Sequence, residues 1–124
     1  VRRCLGYAKR WGFNGMFMLN IFAYRSTDPK ALYRVPPWQA IGPENEQNII
    51  QVVQKPEVTL VIGCWGAHGV LNNQGWRIKD VVRHWFAGVV NGTLKEFCHL
   101  GTLTKNRQPR HVLYLPGRLQ PVPL

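Results

Sequence analysis

Two apolar runs constrain this chain more than anything else in it: MFMLNIFAY at residues 16–24 and EVTLVIGCW at 57–65. Neither alternates polar and apolar positions, as a strand with one wet face does. Both fall far short of the roughly 18–20 residues that a membrane-crossing helix needs. A short unbroken apolar run reads as a strand covered on both faces, which requires a layer above it and another below. Asn20 interrupts the first run, and a buried amide there calls for hydrogen-bond partners.

The segments between the runs read as helices. RRCLGYAKRW, 2–11, puts Cys4 or Leu5, Ala8 and Trp11 on one side and its cations elsewhere, until Gly12 and Asn14-Gly15 end it. RSTDPKALYRVPPW, 25–38, is a loop with one helical turn, for which Asp28 serves as N-cap and Pro29 as first residue. Gly42-Pro43-Glu44 repeats that start, for a helix with Ile49, Ile50, Val52 and Val53 on a stripe and Pro56 as its stop. The clearest amphipathic pattern runs from about Trp76 to Val90, where Ile78, Val81, Val82, Trp85 and Val89 oppose Arg77, Asp80, Arg83 and His84. Asn91-Gly92 suits its end. TLKEFCHL, 93–100, reads as a third strand, followed by a basic loop and a proline-studded tail that packs as a cap or turn. Strands alternating with helices imply βαβ crossovers. The predicted fold is therefore one α/β domain over residues 1–124, three layers around a short, mainly parallel sheet. With 45% hydrophobic residues the chain can build one core.

Ligands of such sheets collect beyond the C-terminal ends of the strands. Those ends are residues 20–28, 65–73 and 99–111, all of them polar, glycine-containing or basic. The candidate binding residues there are Asn20, Arg25, Asp28, His68, Thr104, Lys105, Arg110 and His111. Charge suggests what they meet. Sixteen Lys and Arg stand against six Asp and Glu, and neither the first 27 residues nor those after Glu96 contain an acid. Such a chain is drawn to polyanions, so nucleic acid or a phosphorylated ligand is the expected partner. TKNRQPRH, 104–111, sets a hydroxyl, three cations and a histidine in eight residues, a composition suited to phosphate but equally to a solvated basic loop. No cofactor is expected. A zinc site needs paired ligand spacing, and Cys64, His68, Cys98-His99 and His111 show none. The glycines of WGAHG match neither phosphate-binding glycine pattern and read as a sharp turn off a buried strand. Three odd, widely spaced cysteines read as buried free thiols, and Val1-Arg2-Arg3-Cys4 opens no signal-peptide pattern. The expected compartment is cytoplasmic, with no membrane partner.

The blocks RRCLGYAKRWG, LNIFAYRSTDPKAL, GPEN, WGAHG and LGTLTKNRQPRHVLYLP, taken in order, resemble a family of small bacterial and phage proteins of unknown function over nearly the whole chain. Members of that family usually begin with a further strand and an N-P-S-T-A-D-type loop, which these residues do not contain. Their C-terminal block has His-Pro where Val112 follows His111 here. More distantly the layout resembles the uracil-DNA glycosylase superfamily. That resemblance implies that Asn20 in MLNIF reads a pyrimidine, that Cys64-Trp65-Gly66-Ala67-His68 matches a Leu-Trp-Gly-Ser-His strand end, and that His111 matches a final-loop histidine. In that sheet the first strand is central, between those matching 16–22 and 57–65. Without it either the remaining strands close up or a second chain fills the edge, which leads to the expectation of a homodimer. The expected function is nucleic-acid or nucleotide binding in a glycosylase-like pocket. The alternative is an N-terminally shortened, non-catalytic relative that binds or assembles through its basic surface.

Overall fold

The computed structural model describes residues 2–25, 28–86, 89–90 and 93–124. Four α-helices occur among them: α1 (Arg2–Arg10), α2 (Pro37–Ile41), α3 (Asn45–Val53) and α4 (Gln74–Trp85). A three-stranded sheet has the order β1-β4-β5, with β1 at Leu60–Ile62, β4 at Glu96–His99 and β5 at Val122–Pro123. A separate hairpin pairs β2 (Val89–Val90) with β3 (Thr93–Leu94). The α/β class stands. The sheet is mixed, because β1 and β4 are parallel while the tail adds β5 antiparallel to β4. A strand containing Pro123 fits here because β5 lies on the sheet's edge, where a missing N–H costs no ladder bond.

Alternation along the strands builds the layers. Val61 and Phe97 pack on one face against Ile49, Val53, Ile78, Val82 and Phe86 of the α3–α4 side. Ile62, Cys64 and Leu100 pack on the other face with Tyr7 of α1 and Val112. The Tyr7 hydroxyl donates to Pro116 O at 2.7 Å, fastening α1 to the tail.

Three expectations are corrected. The segment 16–24 forms no strand, and Phe17, Met18 and Leu19 are 53%, 50% and 39% exposed; Ile21 joins the core and Phe22 packs against it. A strand needs a backbone neighbour, and this segment has none along residues 14–19 among the described residues. Helix α4 ends at Trp85 and not near Val90, because Val89–Val90 turns back as half of the hairpin. The expected terminator Asn91-Gly92 lies outside the described residues. The third strand is shorter than 93–100, its first two residues belonging to the same hairpin. The turn after Asp28 forms as expected: Asp28 accepts from Lys30 N at 3.0 Å and caps Pro29–Tyr33.

Candidate functional site

Beyond Ile62 the chain leaves the sheet through Gly63-Cys64-Trp65-Gly66. Gly66 has φ 78°, a left-handed conformation that a side chain resists, so the turn off the strand depends on glycine there. The Gly66 amide donates to Pro109 O at 2.8 Å, and a methyl at Gly66 would stand 3.5 Å from His111 Cβ. The loop after β1 and the loop after β4 therefore meet at this one point.

A second clasp reinforces it. Gln108 is buried, and its Oε1 accepts from the Trp65 indole at 2.8 Å. The loop that carries Gln108 closes on itself: Thr104 N donates to Gln108 O at 2.9 Å, Gln108 N to Thr104 Oγ1 at 3.0 Å, and Arg107 N to Thr104 O at 2.8 Å. Arg107 turns the corner with φ 61°, an uncommon conformation for a side chain of its size. Lys105, Arg107 and Arg110 all remain exposed on this loop. Arg110 reaches back to Thr102 Oγ1 at 3.3 Å. Partial burial, with the charges of Arg83 and Arg107 adding to it and Asp80 opposing, holds the Lys79 ammonium on α4 below its ordinary value.

Both histidines have one ring nitrogen engaged. His111 Nδ1 accepts from Leu113 N at 3.2 Å, capping the turn Val112–Tyr114. An acceptor role at Nδ1 places the neutral ring's proton on Nε2, which is then a hydrogen-bond donor. His68 Nδ1 pairs with the Tyr33 hydroxyl at 2.9 Å, which seats the Pro29–Tyr33 turn beside it. Asn20 is held through its backbone: Asn45 Nδ2 donates to Asn20 O at 2.8 Å, and buried Gln74 donates to the Ile21 carbonyl at 2.9 Å. The Asn20 side chain is exposed, and Asn20 and Trp65 line the same cleft.

Of the candidate residues, Thr104, Lys105, Arg110 and His111 thus share one loop, clasped to the turn that carries His68. Asn20 is linked to it through the cleft wall. Arg25 is exposed, and among the described residues no hydrogen bond or ion pair joins it to the others. The Asp28 carboxylate caps its own turn and lies 4.0 Å from Arg34. Sequence reading did not single out Gln74, Gln108, Asn45 or Tyr33. A glutamine in a buried clasp looks like any surface glutamine; the only hint was Gly69 and Gly75 flanking a helix start, where something must approach closely.

His99, at the end of β4, is buried, and its Nδ1 lacks a partner among the described residues. Burial holds its pKa below the ordinary 6.5, with Lys79 adding to that and the Leu100 backbone opposing it. The unfolded chain therefore takes up a proton that the folded one resists. Stability is expected to fall as pH drops through about 6.5 towards the lower folded value. Urea unfolding from pH 7.5 to 5.5 should show this fall in the parent and a flatter profile in His99→Gln; equal slopes would refute it. Burial together with neighbouring Cys4 pushes the Cys64 thiol up to about 11, so it is protonated and a poor nucleophile at neutral pH.

The model of a family described as "Protein of unknown function (DUF1643)" matches residues 1–113. No curated protein and no solved structure matches the chain.

Proposed function

Since the chain belongs to the DUF1643 family of proteins of unknown function, its chemistry has to come from its own geometry, and we propose that it binds nucleic acid or a nucleotide at the edge where the 104–111 loop meets the Gly66 turn. The observation that carries this reading is the Gln108–Trp65 clasp, which holds exposed Lys105, Arg107 and Arg110 in a preset loop beside His111. A basic loop fixed in place loses little freedom when it meets a phosphate, and Arg guanidinium groups suit phosphate oxygens. The charge of +10 adds long-range attraction.

In this reading Lys105, Arg107 and Arg110 meet phosphates, and the Asn20 amide reads a base edge as in the glycosylase-like pocket that the sequence resembles. His68 and His111 offer Nε2, and the His111 Nε2–H would stabilise negative charge on a base oxygen. The role is binding in preference to cleavage, because the one carboxylate among the candidate residues, Asp28, is engaged by its own turn and Arg34.

Binding to single- and double-stranded oligonucleotides, measured across salt concentrations, tests it. On duplex DNA, three to five phosphate contacts predict a log–log salt slope of about −3 to −5. Asn20→Ala and His111→Ala are each expected to weaken binding roughly tenfold at constant slope, as lost base contacts do. Binding that ignores both substitutions leaves only a basic assembly surface, and no binding at low salt ends the reading.

A further inference from the structure

Consecutive residues at the start of α4 step about 100° around the helix, so Gly75, Trp76 and Arg77 stand on three different sides of it. On the first side lies the basic loop: a methyl on Gly75 would meet Gln108 Oε1 and the Trp65 indole bonded to it. On the third side Arg77 is held by Glu46, Nε to Oε1 at 2.8 Å, and that pair lines a recess of about 240 Å³ together with Trp38. Trp76 stands between loop and recess. It is 41% exposed, and Trp38 is 67% exposed. A tryptophan left this open forgoes much of the burial that its large ring can supply.

Cations share the face of Trp76. Lys79 and Arg83 follow it three and seven positions on, the spacing of one helical stripe. Lys79 is half-buried, while Arg83 is exposed and donates to Leu124 O at 3.1 Å. Arg107, exposed on the loop, is close enough for its charge to act on Lys79. Against these three cations the stripe sets one acid, Asp80. Cations beside an open indole suit an unpaired nucleic-acid strand, since charge follows the phosphates and the ring offers its face to a base of any kind. In a duplex the bases stack on one another and are not free to cover an indole. The cores of protein interfaces, by contrast, are depleted of lysine.

We propose that single-stranded nucleic acid crosses α4 from the 104–111 loop to the Trp38 recess, with Lys79, Arg83 and Arg107 on its phosphates and bases stacked on Trp76 and Trp38. The inference rests on the nucleic-acid reading above and narrows it to an unpaired strand and to a path over the helix.

The probe is fluorescein-labelled oligothymidylate, set against a DNA hairpin with the same number of phosphates. The single strand should bind about tenfold more tightly. Trp76→Ala and Trp38→Ala should each weaken its binding roughly tenfold at unchanged salt slope, as the loss of one stacked base does, and Trp76→Phe should recover most of that loss. Lys79→Gln combined with Arg83→Gln should instead flatten the single-strand salt slope by about 1.4, since each lost phosphate contact removes about 0.7. Binding should also quench the parent's tryptophan fluorescence, and quench it less in Trp76→Ala. Parent-like binding by both tryptophan variants, beside weakened binding by Lys105→Ala and Arg110→Ala, would overturn this path and leave the loop reading standing. Equal affinity for strand and hairpin would overturn it as well. So would self-association in sedimentation that Trp76→Ala abolishes, which assigns the face to a protein contact. No binding of either probe at low salt would end both readings.

Discussion

Replacing Gly75 by alanine is expected to destabilise the protein by about 2–4 kcal/mol, although alanine is the better helix former by about 1 kcal/mol. Gly75 is the second residue of α4 and is buried. A methyl there would run into Gln108 Oε1, stand 2.8 Å from the Trp65 indole nitrogen and 2.9 Å from the Gly69 carbonyl. The helix, the Gly66–Gly69 turn and the basic loop converge on that point, so no single neighbour can retreat without breaking the clasp. The cost combines overpacking, typically about 1–3 kcal/mol, with the loss of a buried hydrogen bond of about 1–3 kcal/mol. Urea denaturation followed by tryptophan fluorescence measures it. Gln108→Ala should remove much of the penalty, so the two changes together should cost at least about 0.5 kcal/mol less than their sum. A midpoint that rises in Gly75→Ala would mean the clasp does not exist.

Leu100→Ala should cost as much or more, about 2–5 kcal/mol, the usual range for emptying a buried leucine site. Leu100 is 1% exposed and joins Tyr7 and Val112 in the second cluster, with Trp11 and Leu115 packed around them. Its position at the end of β4 makes it the bolt between the sheet, α1 and the turn capped by His111. The side-chain pocket cannot collapse readily, because Tyr7 is tethered to Pro116 and α1 contacts the 112–114 turn. The expected result is a lower unfolding midpoint together with faster exchange at the Leu113 amide, which donates to His111. A loss below about 1 kcal/mol would show that α1 is not docked on this face.

Helices α1, α3 and α4 were legible because their signal is local. The stripe of Ile49, Ile50 and Val53 or of Ile78 and Val82 returns every turn to one face, whatever the helix later packs against. Strand β1 was legible for a related reason, since a short apolar run with glycine after it has few other uses. MFMLNIFAY carries the same pattern and is not a strand. Pairing is non-local, and nothing within residues 16–24 reports whether a neighbour stands beside them. β5 escaped notice for the opposite reason: three prolines near the C-terminus argue against a strand, but an edge position tolerates Pro123.

By itself the sequence determined the α/β class, the helical stripes, the excess of cations and the loops in which polar and basic residues gather. Each of these depends on composition or on spacing along the chain. The tertiary structure alone decided that Gln108 reaches Trp65, that His111 lies against Gly66, and that β1 and residues 16–19 line one cleft. Those facts depend on groups more than 40 residues apart arriving within hydrogen-bonding or van der Waals distance, and no spacing rule along one chain encodes that arrival.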